Sequence, residues 1–350
     1  MKIAVLVSGG VDSSVALALL KSQGHDVTAF YLKIWLEDEL AYLGECPWQE
    51  DLNYVTSVCT QLNVPIEIVN FQREYADRII SYTIEEIKAG RTPNPDMLCN
   101  NRIKFGAFLD LIDSSYEKVA TGHYAQLEEK SGNFYLKTSP DEIKDQTYFL
   151  AHLSQKHLKR ALFPIGHLIK DQVREFARQF DLPTQNRKDS QGLCFLGKIK
   201  FSDFVKHHIG DRVGPLIEYE TGKVLGEHKG FWYYTIGQRK GSGLSGGPWY
   251  VVAKDSEQNI IFVSRDYYTQ EKSRNTFQVG SLNWIVSKPE SEEVSVKMRH
   301  GALQYKAKIL IYDSHEASVI LESRDQGIAS GQFAVFYDGN YCLGTGVILK

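Results

Sequence analysis

The sequence lacks any run of about 18 apolar residues, the length that a helix needs to cross a bilayer. Its first apolar run, Lys2–Val7, is too short for a secretory signal peptide, and no small-residue cleavage site follows it. An Arg-rich transit peptide is also absent. These absences predict a cytoplasmic protein that makes no contact with a membrane.

Cysteine is scarce, with five residues at positions 46, 59, 99, 194 and 342 and no C-x-x-C pair. An odd, widely spaced set excludes a disulfide framework and a zinc ribbon. A free cysteine is by default a small buried hydrophobic residue, and we interpret Cys46 in that way. A chemical role for any other thiol has to come from the residues around it.

A strong excess of one charge is missing as well, because 40 Lys and Arg face 43 Asp and Glu, for a net charge of −3. This balance excludes a generic polycation. The first 100 residues carry 7 basic and 14 acidic side chains, whereas residues 101–240 carry 22 and 17. Any contact with nucleic acid therefore has to come from local basic patches in the middle and later parts of the chain.

Strand and helix patterns alternate over the first 180 residues, beginning with a buried strand over Lys2–Val7 and a helix over Asp12–Gln23. Such alternation predicts an α/β fold with a doubly wound parallel sheet, in which ligands bind beyond the carboxyl ends of the strands. The same patterns predict further strands and helices at Asp26–Lys33, Gln49–Leu62 (helix), Pro65–Phe71, Arg73–Ala89 (helix) and Lys118–Tyr124.

The pattern changes after about Gly197. Residues 210–265 are rich in glycine and aromatic residues, and short alternating strands dominate from Thr276 onward. A length of 350 residues allows two or three domains. We therefore expect a catalytic domain over residues 1–200, a small central domain over 201–270 and a C-terminal antiparallel β-barrel over 271–350.

The strongest motif is SGGVDSS, at residues 8–14, where the first strand ends and a helix begins. Two glycines allow the backbone to turn sharply and to approach a ligand. Free N–H groups at a helix start favour a bound phosphate, and Asp12 can reach a Mg²⁺ ion held by phosphates. The Walker pattern is absent, so cleavage of a γ-phosphate is not indicated.

At these residues the chain resembles the PP-loop ATP pyrophosphatases. Members of that group cleave ATP between the α- and β-phosphates and adenylate a substrate. The resemblance at this loop leaves the acceptor open, because GMP synthetase, argininosuccinate synthetase, asparagine synthetase and several RNA-modifying enzymes are similar here.

Two further motifs each contain a cysteine. GRTPNPDMLCN, at residues 90–100, has two prolines that stiffen a loop before Cys99. A thiol at a helix start beside Arg102 and Lys104 is expected to have a lowered pKa. KDSQGLCFLG, at residues 188–197, places Cys194 between glycines, with Arg187 and Lys188 nearby to favour a thiolate or persulfide. Two such loop thiols can pass sulfur by thiolate attack.

With these motifs the chain resembles the tRNA-uridine 2-sulfurtransferases, the 2-thiouridylases of the anticodon wobble position. The resemblance covers nearly the whole chain, and the pairing of the two cysteine motifs is highly specific. Shorter matching stretches are ATGHY at 120–124, KDQTYFL at 144–150, LFPIG at 162–166, TIGQRKG at 235–241 and GQFAVFY at 331–337.

The resemblance implies roles for individual residues. Cys194 would carry a persulfide delivered by a sulfur-relay protein or cysteine desulfurase, and Cys99 would close a disulfide with it as the product leaves. ATP, with Mg²⁺, would be bound by Leu6, Val7, Ser8, Gly9, Gly10, Val11, Asp12, Ser13, Leu32 and Gly122. The target base and the rest of the tRNA would meet Asn94, Pro95, Asp96, His123, Lys144, Asp145, Gln146, Arg299, His300 and Gln332.

The chain departs from the family pattern at two places, and two alternative functions remain open. An arginine–tyrosine pair of the family is Arg299-His300 here, and the family's K-N-W after the second strand is Lys33-Ile34-Trp35. A PP-loop synthetase acting on a small metabolite would have no use for two loop cysteines. A non-catalytic tRNA-binding protein would not need an intact SGGVDSS. The sequence favours a monomeric, ATP-dependent sulfurtransferase acting on tRNA, and it identifies neither the tRNA isoacceptors nor the sulfur donor.

Overall fold

The computed structural model describes residues 1–34, 48–189, 200–239, 241, 243–266, 274–325 and 327–349. Cys46 and Cys194 lie outside these residues, as does most of the KDSQGLCFLG motif. No helix in the described part of the chain combines the length and the apolar character that a bilayer crossing requires.

A five-stranded parallel sheet forms the first unit, in the order β3-β2-β1-β4-β7. Val5 of β1 lies between Ala29 of β2 and Ala120 of β4, so the SGGVDSS motif leaves the centre of the sheet. The predicted α/β fold with a parallel sheet is confirmed. The strands are β1 (Lys2–Leu6), β2 (Asp26–Lys33), β3 (Ile66–Asn70), β4 (Lys118–Ala120) and β7 (Ala161–Leu162).

Helices cover this sheet on both faces and form two apolar cores with it. One core contains β1 and β2 side chains against Val15 and Leu17, and the other contains Phe30, Tyr75 and Phe105. The helices are α1 (Val11–Ser22), α2 (Trp48–Leu62), α3 (consecutive stretches Gln72–Tyr75, Ala76–Ile80 and Ser81–Lys88), α4 (consecutive stretches Pro95–Cys99, Asn100–Ala107 and Phe108–Leu111), α5 (Thr147–Leu150), α6 (Gln155–Arg160), α7 (Lys170–Gln179) and α8 (Phe201–Ile209).

The central unit is a four-stranded sheet with its own small core, in which Leu216, Phe231, Trp249 and Val263 are buried. Its strands follow the order β10-β11-β8-β9. They are β8 (Gly214–Glu218), β9 (Val224–His228), β10 (Tyr250–Asp255) and β11 (Ile260–Ser264).

Six antiparallel strands form the closed C-terminal barrel, since β12 pairs with both β15 and β17. The barrel was predicted, but its extension was not: the hairpin of β5 (Ala125–Lys130) and β6 (Asn133–Thr138) joins the same sheet. Tyr341 of β17 pairs with Lys137 of β6. The barrel strands are β12 (Arg274–Trp284), β13 (Glu293–Lys297), β14 (Tyr305–Ile311), β15 (Ala317–Asp325), β16 (Phe333–Asp338) and β17 (Tyr341–Ile348).

Candidate functional site

The loop between β1 and α1 is tightly packed from two sides. Gly9 has a φ of +75°, and a Cβ there would lie 2.7 Å from the backbone oxygen of Asp51. A Cβ on Gly122 would lie 2.6 Å from the backbone nitrogen of Ser13. Both glycines are therefore required for the chain to fold closely around the start of α1. The first turn of α1 leaves N–H groups without partners inside the helix, as an anion site needs.

Asp12, in the first turn of α1, is held by two groups that the sequence reasoning missed. Its Oδ1 accepts hydrogen bonds from the Tyr124 hydroxyl at 2.8 Å and from the Lys170 ammonium at 2.7 Å. Burial and the charge of Asp12 raise the pKa of Tyr124, so the phenol stays protonated and donates. The Asp12 side chain remains about one-third exposed, which leaves its carboxylate accessible to a metal ion.

Asp189, at the start of the KDSQGLCFLG motif, is held by three cations. Lys144 lies 2.6 Å from Oδ2, and Lys170 and Arg174 lie 2.8 Å and 2.7 Å from Oδ1. Partial burial would raise the pKa of Asp189, but the hydrogen bonds from Lys144 and Lys170 outweigh it and lower that pKa to about 2. Asp189 is therefore ionised at any physiological pH.

Arg187 serves the SGGVDSS loop. Its guanidinium donates to the Gly9 carbonyl at 2.7 Å, forms a hydrogen-bonded ion pair with Asp51, and lies over the Tyr54 ring. We expected Arg187 to favour a thiolate at Cys194. Cys194 lies outside the described residues, so that expectation stays a prediction, while the contacts of Arg187 in the structure stabilise the glycine turn.

Cys99 is fully buried, and the predicted lowering of its pKa is wrong. The residue is the last of the stretch Pro95–Cys99, where the helix continues into Asn100–Ala107, rather than a helix start. Burial raises the pKa of the thiol to about 11, and the charge of Lys104 offsets this only partly. Cys99 is thus a protonated thiol inside the core.

The residues before Cys99 are fixed by contacts from two directions. The Asn94 side chain caps the helix by accepting a hydrogen bond from the Met97 N–H at 3.2 Å. From the barrel, the Gln332 amide donates to the carbonyls of Thr92 and Pro93 at 3.2 Å and 3.0 Å. The barrel therefore helps to shape the Asn94–Asp96 segment.

Several residues expected to face tRNA are engaged inside the protein. Asp145 is 2% exposed and lies 3.0 Å from the Lys297 ammonium, which is 3% exposed. His300 hydrogen-bonds to the Asp145 carbonyl at 3.1 Å and stacks on Phe149. The Asp145–Lys297 pair joins the segment between β6 and α5 to the end of β13 in the barrel.

The other expected tRNA contacts also have protein partners. Gln146 accepts a hydrogen bond from the Tyr124 N–H. His123 is buried against Phe163, and burial lowers its pKa well below the usual value. Arg299 pairs with Asp325 at 2.7 Å but keeps half of its side chain exposed. Of this set, Arg299 is the most accessible charge for an RNA.

A cleft of about 1030 Å³ lies where the three units meet. Helix α3 and the following loop, the central sheet and the barrel all line it. Its cationic side chains are Arg91, Arg102, Lys254 and Arg274. Arg91 is paired with Glu86, while burial lowers the pKa of Lys254 to about 8. The cleft therefore offers two exposed cationic side chains, Arg102 and Arg274, beside the paired Arg91 and the largely buried Lys254.

Comparison with known families finds matches over nearly the whole chain. A family model described as the tRNA methyl transferase HUP domain matches residues 1–198. Models described as the tRNA methyl transferase PRC-barrel domain and the aminomethyltransferase beta-barrel domain match residues 202–265 and 274–348.

Among solved structures, the U34-tRNA thiolase NcsA from Methanococcus maripaludis is 17% identical, with a TM-score of 0.36, over 55% of this chain and 61% of that chain. Among curated proteins, the tRNA-specific 2-thiouridylase MnmA of Parabacteroides distasonis is 44% identical over 100% of this chain and 99% of its own length. A second curated protein, the tRNA-specific 2-thiouridylase MnmA 2 of Bacteroides fragilis, is 45% identical over 99% of this chain and 100% of its own length. At this identity and coverage, the chain belongs to the tRNA-specific 2-thiouridylase family.

Proposed function

We propose that the chain catalyses the ATP-dependent 2-thiolation of the wobble uridine, position 34, of tRNA. The observation that carries this proposal is full-length membership of the 2-thiouridylase family, combined with a phosphate loop and cysteines at both family positions. The tight packing of Gly9 and Gly122 around the start of α1 supports nucleotide binding at that loop.

The first step is adenylation of the base. The C2 oxygen of the uracil attacks the α-phosphorus of ATP, and pyrophosphate leaves. The segment Leu6–Ser13 would hold the phosphates, and Leu32 and Gly122 would contact the nucleoside. Magnesium usually binds through one or two carboxylates together with substrate phosphates, and the exposed third of Asp12 offers such a ligand at the right place. The metal would neutralise phosphate charge there.

The second step transfers sulfur. The terminal sulfur of a Cys194 persulfide attacks C2, and AMP leaves with the former C2 oxygen. Cys99 then attacks the Cys194 sulfur, which forms the Cys99–Cys194 disulfide and releases the 2-thiouridine. An external thiol must reduce that disulfide before the next turnover. A buried Cys99 with a pKa of about 11 is inert until this step, which prevents premature attack on the persulfide.

The RNA would be recognised in two ways. Asn94, Pro95 and Asp96 would meet the flipped-out base, supported by the Gln332 contacts beneath them. Phosphates would contact exposed cations such as Arg299, and Arg102 and Arg274 in the three-unit cleft. The remaining expected contacts would act mainly by shaping this surface, since each already has protein partners. They are Lys144, Asp145, Gln146, His123 and His300.

Three further assignments belong to the proposal. The sulfur donor is a sulfur-relay protein or a cysteine desulfurase. The chain acts as a monomer. It works in the cytoplasm, where its tRNA substrate and ATP are found together.

The test is a reconstituted reaction with the purified chain, ATP, Mg²⁺, unmodified tRNA, and a cysteine desulfurase supplied with ³⁵S-cysteine. We expect AMP and 2-thiouridine in equal amounts, both dependent on tRNA. A small-metabolite synthetase would release AMP without tRNA once a cell extract of metabolites is added, and a non-catalytic RNA-binding protein would release none in either case.

Matched serine variants separate the two thiols in the same assay. Cys194→Ser should accept no labelled sulfur. Cys99→Ser should load sulfur at Cys194 and release no 2-thiouridine. Label on Cys99 in the wild type, or two free thiols after one turnover without reductant, would contradict these roles.

A further inference from the structure

The loop between α3 and α4 is held by both of the other units. Gly90 has a φ of +78°, and a Cβ there would lie 2.9 Å from the Cβ of Ser256 in the central unit. The Thr92 N–H donates to the Ser330 carbonyl of the barrel unit at 2.8 Å. A Cβ on Gly331 would lie 2.9 Å from the Thr92 oxygen. The walls of the three-unit cleft therefore meet at one tightly packed place, which gives the cleft a defined shape.

Two cations that line the cleft, Lys254 and Arg274, form no ion pair with any residue that the structure describes. Lys254 donates to the Tyr234 carbonyl at 3.1 Å, and Arg274 donates to the Ile328 carbonyl at 2.6 Å. Burial without an opposing carboxylate lowers the pKa of Lys254 to about 8. An anion that enters the cleft would stabilise this ammonium, because it would supply the missing opposite charge.

A third cation, Arg102, is exposed in the cleft and is held in place from behind. Its guanidinium donates to the Arg78 carbonyl at 2.9 Å and lies 5.6 Å from the centre of the Tyr82 ring. The Glu86 carboxylate on the same wall is already paired with Arg91. A guanidinium can stack on a base with its face and donate to a phosphate from its edge.

The cleft fits a nucleotide in both size and position. Its volume of about 1030 Å³ lies at the upper end of the roughly 300–1,000 Å³ range of small-molecule sites, so it has room for more than a single ion. Thr92 lines the cleft, and Asn94, which we propose to meet the target base, follows within about 7 Å of chain. An RNA strand with one base at Asn94 therefore reaches the cleft with the next nucleotide.

We propose that the three-unit cleft is a second nucleotide subsite, which binds the nucleotide of the anticodon loop that adjoins the wobble uridine. Lys254 and Arg274 hold its phosphate, and its base stacks on Arg102. Because stacking accepts every base, the subsite holds the strand in place without selecting the isoacceptor. This inference rests on the proposed thiolation of tRNA.

The first test measures the affinity of the full chain for anticodon stem-loop RNA by fluorescence anisotropy. Each RNA keeps the wobble uridine, and one base is removed on either its 5′ or its 3′ side. In the wild type, one of these two abasic RNAs should bind about tenfold more weakly than the intact RNA. Arg102→Gln should reduce that difference to less than about twofold. Arg73→Gln, an exposed arginine of α3, is the matched control and should keep the full difference.

The second test replaces the phosphate beside that nucleotide with an uncharged methylphosphonate. The change should weaken binding to the wild type about tenfold, because charge-assisted hydrogen bonds are lost. In Lys254→Gln, checked for folding by its melting temperature, the effect should fall below about threefold. Arg274→Gln, at an exposed position, should reduce the effect in the same way. Lys223→Gln, exposed in the central unit, should leave it unchanged.

The subsite would be overturned if both abasic RNAs bound the wild type as well as the intact RNA, or if Arg102→Gln kept the full difference. A full methylphosphonate effect in both Lys254→Gln and Arg274→Gln would overturn the phosphate contact. A wild type that does not bind the intact stem-loop would instead contradict the proposed function.

Discussion

Asp12 and Asp145 each face a lysine ammonium, at 2.7 Å and 3.0 Å, yet they serve different purposes. The Asp12 side chain is one-third exposed, so its carboxylate is accessible to a metal ion or water. Asp145 and its lysine are both almost completely buried, and separating them would leave two uncompensated charges. Exposure thus separates a carboxylate suited to ligand binding from one that holds the structure together.

Replacing Asp12 with Asn should reduce the rate of AMP formation by at least about a hundredfold, while tRNA affinity changes less than twofold. The reason is that the carboxylate would serve the metal and phosphates rather than the RNA. Single-turnover AMP release and filter binding of tRNA measure the two effects. Asp26→Asn, an exposed carboxylate at the start of β2, is the matched control. Normal AMP formation in Asp12→Asn would refute the assignment.

Cys99 should resist alkylation in the native protein at neutral pH. With its pKa raised to about 11, the thiol is protonated below that pH, and roughly one molecule in 10³ carries a thiolate at pH 8. The alkylation rate should therefore rise about tenfold per pH unit up to pH 10, provided that the protein stays folded. Peptide-resolved labelling with iodoacetamide measures it, with Cys99 in urea as the reactive reference. Labelling at pH 7.5 as fast as that of free cysteine would contradict the burial argument.

Sequence reasoning identified candidate residues that lie within short motifs. It missed residues that contact those motifs from distant parts of the chain. Gly9, Asp12 and Cys99 stand in compact motifs. Lys170 lies 158 positions from Asp12 and belongs to an ordinary amphipathic helix, so only the folded structure brings it to the loop. The pKa of Cys99 was misjudged because nearby cations are visible in the sequence, whereas burial is not.

At the level of elements, Gln332 precedes β16 and its side chain stabilises the loop after α3. This contact could be lost without unfolding either element. Gln332→Met removes two hydrogen bonds to the Thr92 and Pro93 carbonyls, each worth about 1 kcal/mol. We expect kcat/KM for tRNA to fall about tenfold, with the melting temperature lowered by only a few degrees. Steady-state thiolation and calorimetry test this.

Tyr312→Phe is the control for that prediction, because the Tyr312 hydroxyl hydrogen-bonds to Ser318 within the barrel itself. It should leave kcat/KM within about twofold of the wild type. Equal losses in the two variants would mean that Gln332 acts through barrel stability alone.

The long elements were predictable because their apolar periodicity is strong, as in Val11–Ser22 and Asp26–Lys33. The strand predicted over Lys118–Tyr124 ends at Ala120, because Gly122 packs directly against the start of α1 and leaves the sheet. The β5–β6 hairpin was missed since its alternation is weak and its partner strand lies far along the chain.

At the scale of the whole molecule, the Lys297–Asp145 pair should control how firmly the barrel is attached. Lys297→Met leaves a buried carboxylate without its cation, which should cost about 3–5 kcal/mol. We expect a lower melting temperature and faster proteolysis between the units. The double variant Lys297→Met/Asp145→Asn also removes the unpaired carboxylate charge, so it should recover part of the lost stability. A double variant less stable than the single one would argue against an electrostatic cause.

Binding of tRNA should weaken steeply with salt despite the net charge of −3, because counterions are released where cations meet phosphates. Arg274→Gln, in the three-unit cleft, should lower the slope of log Kd against log salt concentration by about 1. Lys21→Gln, an exposed residue in the last turn of α1, should leave the slope unchanged. Equal slopes for the wild type and Arg274→Gln would mean that the RNA does not contact Arg274 in the three-unit cleft.

The pairing of β6 with β17 has a consequence during synthesis. The β5–β6 hairpin emerges from the ribosome about 200 residues before Tyr341, its partner in β17. At about 5–20 residues per second, one edge of β6 waits for roughly 10–40 seconds without its native neighbour. An unpaired strand edge can be joined by a strand from another chain. Chains interrupted before β17 should therefore aggregate, and slower translation of the barrel should raise the demand for chaperones.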